Sequence, residues 1–153
     1  GWVGKALVSA AVIIMITAAG GSFGMVLRDS GIADVVGDSF SGSHLGIWMP
    51  FLIAAALKTA QGSSTVAIIT TASLSAPLLA SLGVITPAQT ALTVVMIGAG
   101  SMVVSHANDS YFWVVTQFSK MDVATGYRLH SVGTILEGLT AGIAAWLLFT
   151  IVT

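Results

Sequence analysis

The sequence predicts an all-α integral membrane protein, built from transmembrane helices and from re-entrant or discontinuous helical hairpins. Three observations predict it. Of the 153 residues, 7% are charged and 56% apolar, with a mean hydropathy of +0.97, whereas a soluble domain carries about 25% charged residues. Uncharged stretches of membrane length recur along the chain. Polar clusters interrupt them, at spacings too short for loops between full spans. A chain so poor in charge cannot cover a water-facing surface, and lipid is its natural solvent. The net charge of −1 gives no electrostatic footprint for nucleic acid. The absence of cysteine excludes disulfides and thiolate metal sites.

The first predicted span covers residues 6–27, the 22 uncharged residues between Lys5 and Arg28, where a helical span needs about 20. No small-residue cleavage pattern lies within signal-peptide range, so the stretch reads as a span and not a leader. Gly20 and Gly24 form either a small-xxx-small packing face or a bent helix end. Asp29 to His44 is the most polar stretch. Ile32, Val35, Val36 and Phe40 give it the pattern of a short interfacial helix whose aspartates are solvated.

From Thr59 to Asn108 the chain runs 50 residues without Asp, Glu, Lys or Arg, too long for one span. Gly83 to Pro87 divides it as an ordinary turn, with Thr86 as N-cap and Pro87 at the first helical position. Residues 88–104 then form a second span. Gln61-Gly62-Ser63-Ser64-Thr65 divides it differently. The arms of this unit (residues 45–82) are short, and polar backbone at membrane depth is tolerated only inside protein or beside a cavity. The expected form is a hairpin tip or a broken helix. Ser64 or Thr65 is expected to cap the helix beginning near Val66, and Gly62 to let a ligand approach the backbone. With Lys58, Thr59 and the free N–H groups of a helix start, Gln61, Gly62, Ser63, Ser64 and Thr65 suit a carboxylate or similar anion. A plain cap in a surface loop is the blander alternative.

Residues 105–119 form a second interrupted unit. Ser105, His106, Asn108 and Asp109 are its candidate solute or ion contacts. His106 and Asp109 share a face if the stretch is helical, and both titrate, which suits coupling to a proton or, less favoured, sodium. A solvated surface loop is again the alternative. Gly98-Ala99-Gly100-Ser101 favours close packing just upstream. Residues 129–152 form the last span, with Gly138 and Gly142 as a small-residue pair. Glu137 reads as snorkelling to an interface, or as paired with Arg128 or Lys120. His44 and His130 receive no role. Trp48, Trp113, Trp146 and Tyr127 are weak candidates for interfacial anchors.

No G-x-S-x-G elbow and no His/Glu metal spacing is present, so neither an intramembrane hydrolase nor a metal site is expected. Nothing resembles a channel filter. Broken helices with polar tips favour a secondary transporter over a purely structural or regulatory membrane subunit.

The run Gln61 to Ala72 resembles the G-S-[AS]-T-V-A-x-[IT]-T-A signature of the gluconate permease family. Gly98 to Ser101, followed by Ser105 to Trp113, is similar to that family's G-[AS]-G-S-x-x-x-S-H-x-N-D-x-x-F-W segment. Ala18 to Phe23 with Ser30-Gly31 resembles its A-A-G-G-x-F…S-G stretch. The resemblance implies a proton-coupled carrier of gluconate or a related hydroxy-carboxylate, multi-pass in a bacterial inner membrane. D-serine-type carriers belong to the same family. It implies an inverted-repeat fold with paired re-entrant hairpins, no cofactor, and substrate or ion contacts at residues 61–65 and 105–109. Family members are roughly three times as long, so the chain is expected to be the C-terminal third of a permease. Its partners would be the missing N-terminal part, the lipid bilayer, the anionic solute and further copies in a homo-oligomer. The start at Gly1 fits that expectation.

Overall fold

The computed structural model describes residues 1–8, 10–11, 14–15, 18 and 45–152. Most of the predicted span 6–27, and all of the acidic stretch from Asp29 to His44, lie outside them. The described positions from 2 to 18 are helical. Among the described residues every regular element is helical.

Helix α1 runs Trp48–Gln61 and ends at Gly62, which takes a left-handed conformation (φ 79°) and returns its N–H to the Lys58 carbonyl. That is the usual glycine stop of an α-helix. Helix α2, Ser64–Ser75, follows after only two residues. The cap is therefore Ser63, not Ser64 or Thr65. Ser63 is the one extended residue between the two helices, and its Oγ accepts from the Val66 N–H at 3.3 Å. Helix α2 tightens into a 3₁₀ turn at Ala76–Leu78, where Pro77 has no N–H for the α ladder. Helix α3, Pro87–Met102, starts as the sequence predicts. Thr86 and Gln89 form a capping box, with Pro87 at the first helical position.

The chain then leaves helical geometry until α4, Ser110–Phe118, for which Asp109 is the N-cap. Helix α5, Val123–Gly126, passes through a π turn, Tyr127–Ser131, into α6, Val132–Val152. Together Val123–Val152 make a 30-residue run, and among the described residues it is the one helix long and apolar enough to cross a membrane. Helix α3 has 16 residues, about 24 Å at 1.5 Å per residue.

Helix α3 is the centre of the packing, in contact with α1, α2 and α6. Close approach comes from missing side chains. A Cβ on Gly100 would meet the Phe51 carbonyl and Ala54; one on Gly138 would meet Val103 and, at 2.8 Å, the Ala99 carbonyl. One on Gly142 would lie 2.9 Å from the Phe51 ring. The small-residue pair of α6 and Gly100 of the Gly98–Ser101 run thus lie in contact surfaces, whereas a Cβ on Gly98 would meet nothing within 4 Å. Ile47, Phe51, Met96, Ala99, Val103 and Ala145 fill the core between them. Trp48 packs on Phe51 and Trp146, with ring centroids 5.2 and 6.4 Å away.

Candidate functional site

The two polar interruptions meet. The C-terminal end of α1 leaves carbonyls without intrahelical donors, and the second interruption supplies donors for one of them. His106 Nε2 and Asn108 Nδ2 lie 3.0 and 2.9 Å from the Thr59 carbonyl oxygen. A Cβ on Gly62 would run into the Asn108 backbone carbonyl. The space before Gly62 is therefore taken by Asn108, not left for a ligand. His106 and Asp109 do not share a helical face, because residues 103–109 are not helical. Val104 sits at φ +58°, a strained value for a β-branched residue. The two side chains instead reach different atoms at the end of α1.

Asp109 reaches Lys58. The Lys58 Nζ donates to Asp109 Oδ2 at 2.6 Å and to the Gly62 carbonyl at 2.8 Å. Lys58 is 2% exposed and Asp109 6%. Among the described residues this is the one ion pair. Oδ2 also accepts from Ser105 Oγ at 2.5 Å, and Oδ1 accepts from the Tyr111 N–H at 3.0 Å. Both carboxylate oxygens are thus engaged, which a buried charge requires.

Ser105 is held in turn from the π turn and α6. Its N–H donates to Thr134 Oγ1 at 3.1 Å, and its carbonyl accepts from Ser131 Oγ at 2.5 Å. His130 Nε2 lies 3.1 Å from Ser105 Oγ. The Ser105 hydroxyl hydrogen is committed to Asp109, so His130 Nε2 carries the proton in that bond. Trp113 Nε1 donates to the Ala107 carbonyl at 2.7 Å, and the Ala107 N–H donates to the Tyr127 hydroxyl at 3.3 Å. These two aromatics brace the loop.

A cavity of about 440 Å³ opens beside the pair, lined by Lys58, Ser64, Tyr111, His130, Thr134 and Glu137, among others. A second cleft of about 340 Å³ is lined by residues 61–65 and 108–111. Ser64, Asp109 and Tyr111 border both. The lining is rich in hydroxyls around one ammonium, that of Lys58, and two carboxylates, those of Asp109 and Glu137. Among the described residues no group of three or more His, Cys, Asp or Glu side chains gathers as for a metal ion.

Each candidate residue has a distinct place. Gln61 and Thr65 are exposed at the ends of α1 and α2. Ser63 Oγ is occupied by the cap, and Ser64 Oγ donates to the Ser101 carbonyl at 3.0 Å. Ser105 and Asp109 are buried at the centre, while His106 and Asn108 hold α1. Lys58, which the sequence places with the anion-binding run, is the counter-charge of Asp109. His130, given no role, bonds Ser105. Glu137 lines the cavity and makes no ion pair with Arg128 or Lys120. The missed residues carried one signal. His130, Thr134 and Glu137 are four and three residues apart, a polar stripe on one face of an otherwise apolar helix.

Comparison with known proteins assigns the class. The family model described as GntP family permease matches residues 2–152, and the chain belongs to that family of membrane permeases, which are not enzymes. It is 36% identical over 151 residues to the inner membrane permease YgbN of Escherichia coli K12, covering 97% of this chain and 32% of that protein. It is 37% identical over 143 residues to the low-affinity gluconate transporter of the same organism, covering 93% of this chain and 31% of that protein. The Gnt-II system L-idonate transporter of E. coli K12 is 37% identical over 131 residues, 85% of this chain and 29% of that protein. The chain therefore spans about a third of the length of the relatives it matches. No solved structure matches it.

Proposed function

We propose that this chain supplies one segment of a proton-coupled permease that carries a small sugar acid, gluconate or a related hydroxy-carboxylate, across a bacterial inner membrane. The observation that carries the proposal is the buried Lys58–Asp109 pair at the meeting of two chain breaks, bordering a hydroxyl-lined cavity. A cavity of this size suits a small solute. Its hydroxyls match a polyhydroxylated one, and its ammonium matches a carboxylate. Relatives named for gluconate and for L-idonate support the same class of solute. In this reading α1, its break and α2 form a re-entrant hairpin, and further spans and a matching hairpin come from the rest of a longer, multi-pass, inverted-repeat permease. A proton is favoured over sodium as the coupling ion, because His130 and Asp109 are joined through Ser105.

The test places Ser63→Ala, Ser64→Ala and Asp109→Asn in a full-length permease that contains this segment, with labelled gluconate uptake as the readout. Asp109→Asn is expected to abolish net accumulation, and the serine variants to slow it. Wild-type uptake in all three would refute the site.

A further inference from the structure

We propose that the Lys58–Asp109 pair is a proton-operated lock on the anion site: a proton on Asp109 frees the Lys58 ammonium to hold the solute carboxylate. The inference rests on the sugar-acid reading above and deepens it.

Lys58 Nζ has three N–H donors. Two are used, on Asp109 Oδ2 and the Gly62 carbonyl. Lys58 nonetheless lines the 440 Å³ cavity. A buried ammonium does not lose its counter-charge without a replacement. When Asp109 is neutral, a solute carboxylate in the cavity supplies that replacement. When Asp109 is charged, the same carboxylate would place two anions on one cation, and like charges this close do not both remain ionised. Proton and anion therefore each favour the other's binding, by equal amounts.

The proton has a route. Ser105 Oγ donates to Asp109 Oδ2 and accepts from His130 Nε2, and His130 lines the cavity. An imidazolium at His130 passes its Nε2 proton to Ser105 Oγ as Ser105 passes its own proton to Asp109 Oδ2. His130 is left neutral, with its proton on Nδ1, and Asp109 becomes a carboxylic acid. Around the cavity the other titratable groups are Tyr111 from α4 and Glu137 from α6, with His106 in Asp109's own loop; α2 and α3 bring none. The charges also balance. With Glu137 unchanged throughout, the empty site holds Lys58 and ionised Asp109. The loaded site holds Lys58, the solute anion and neutral Asp109. Its net charge is the same, so one proton enters with each anion and transport is electroneutral.

The experiment uses the full-length permease containing this segment. In detergent, gluconate binding is followed together with proton uptake in weakly buffered solution. In liposomes, uptake is driven either by a pH gradient or by a potassium diffusion potential. Wild type is expected to take up one proton per gluconate bound, and to respond to the pH gradient alone. Asp109→Asn should bind gluconate with no proton uptake and no pH dependence, exchanging solute without accumulating it. Lys58→Met should not bind. His130→Gln should slow accumulation and spare exchange. Proton uptake that persists in Asp109→Asn overturns the lock. So does wild-type uptake driven by the potential, a result that needs no variant to fold. Wild type that binds gluconate without a proton overturns the lock and leaves the sugar-acid reading standing. Wild type that binds no sugar acid overturns that reading, and the lock with it.

Discussion

At the scale of single residues, Gly62 does two things that no other residue type can do together. Its φ of 79° lies in the left-handed region, and the space a Cβ would fill is held by the Asn108 backbone. Gly83 offers a control, since its φ is 76° but nothing lies within 4 Å of the added atom. A left-handed alanine costs about 1–2 kcal/mol. Gly83→Ala should lower the melting temperature in detergent by that penalty alone. Gly62→Ala should lower it much further and also slow uptake, because Asn108 and the loop behind it must move. Equal shifts for the two variants would mean that the loop contact carries little stability. The sequence led to a ligand at the Gly62 backbone, where the structure has Asn108. The sequence could not show Asn108 there, because the pairing joins two loops with α2 and α3 between them.

At the scale of elements, the locally encoded features were legible and the tertiary ones were not. The Thr86–Gln89 capping box needs only residues within one turn, and it stands where Pro87 placed it. Thr86→Ala should destabilise α3 by about 1 kcal/mol, readable as faster amide exchange in its first turn. Asp122 caps α5 by accepting from the Thr125 N–H at 2.7 Å. The Thr125 backbone N–H first, and the Thr125 side chain second, hold its carboxyl below the usual carboxylate value. A depressed value means the cap's contribution is complete above about pH 3.9, the ordinary aspartate value. It is lost as pH falls through the lower, folded value. Protection of the Thr125 amide, its exchange rate relative to that of the unstructured chain at the same pH, should therefore be flat from neutral pH down to that region and fall only in stronger acid. Asp122→Asn should remove the acid limb. The π turn at Tyr127–Ser131 had no such local signature. Its wider turn goes with the bonds of His130 and Ser131 to Ser105, and those bonds exist only once the loop has docked. The polar stripe of His130, Thr134 and Glu137 was visible in the sequence, but its partner was not.

At the scale of the molecule, one ion pair ties together parts that are far apart in sequence. Lys58 and Asp109 are 51 residues apart. Through Ser105 the pair also reaches the π turn and α6. Removing one partner of a buried pair leaves an unpaired buried charge, typically at about 3–5 kcal/mol. Replacing both by apolar residues of similar volume is often neutral or stabilising. Lys58→Met and Asp109→Leu should each lower the melting temperature of the full-length permease strongly. The double variant should recover most of that loss, because no charge is left without a partner, although Ser105 and the Tyr111 N–H still lose an acceptor. Uptake should not recover with it, since neither a solute carboxylate nor a proton then has a group to bind. Stability restored without transport would separate the pair's function from its structural role. If transport returned with stability, the pair would be a structural fastening and the solute would bind elsewhere. If the double variant stayed as unstable as the single ones, the loss would lie in the hydrogen bonds around Ser105, not in the unpaired charge.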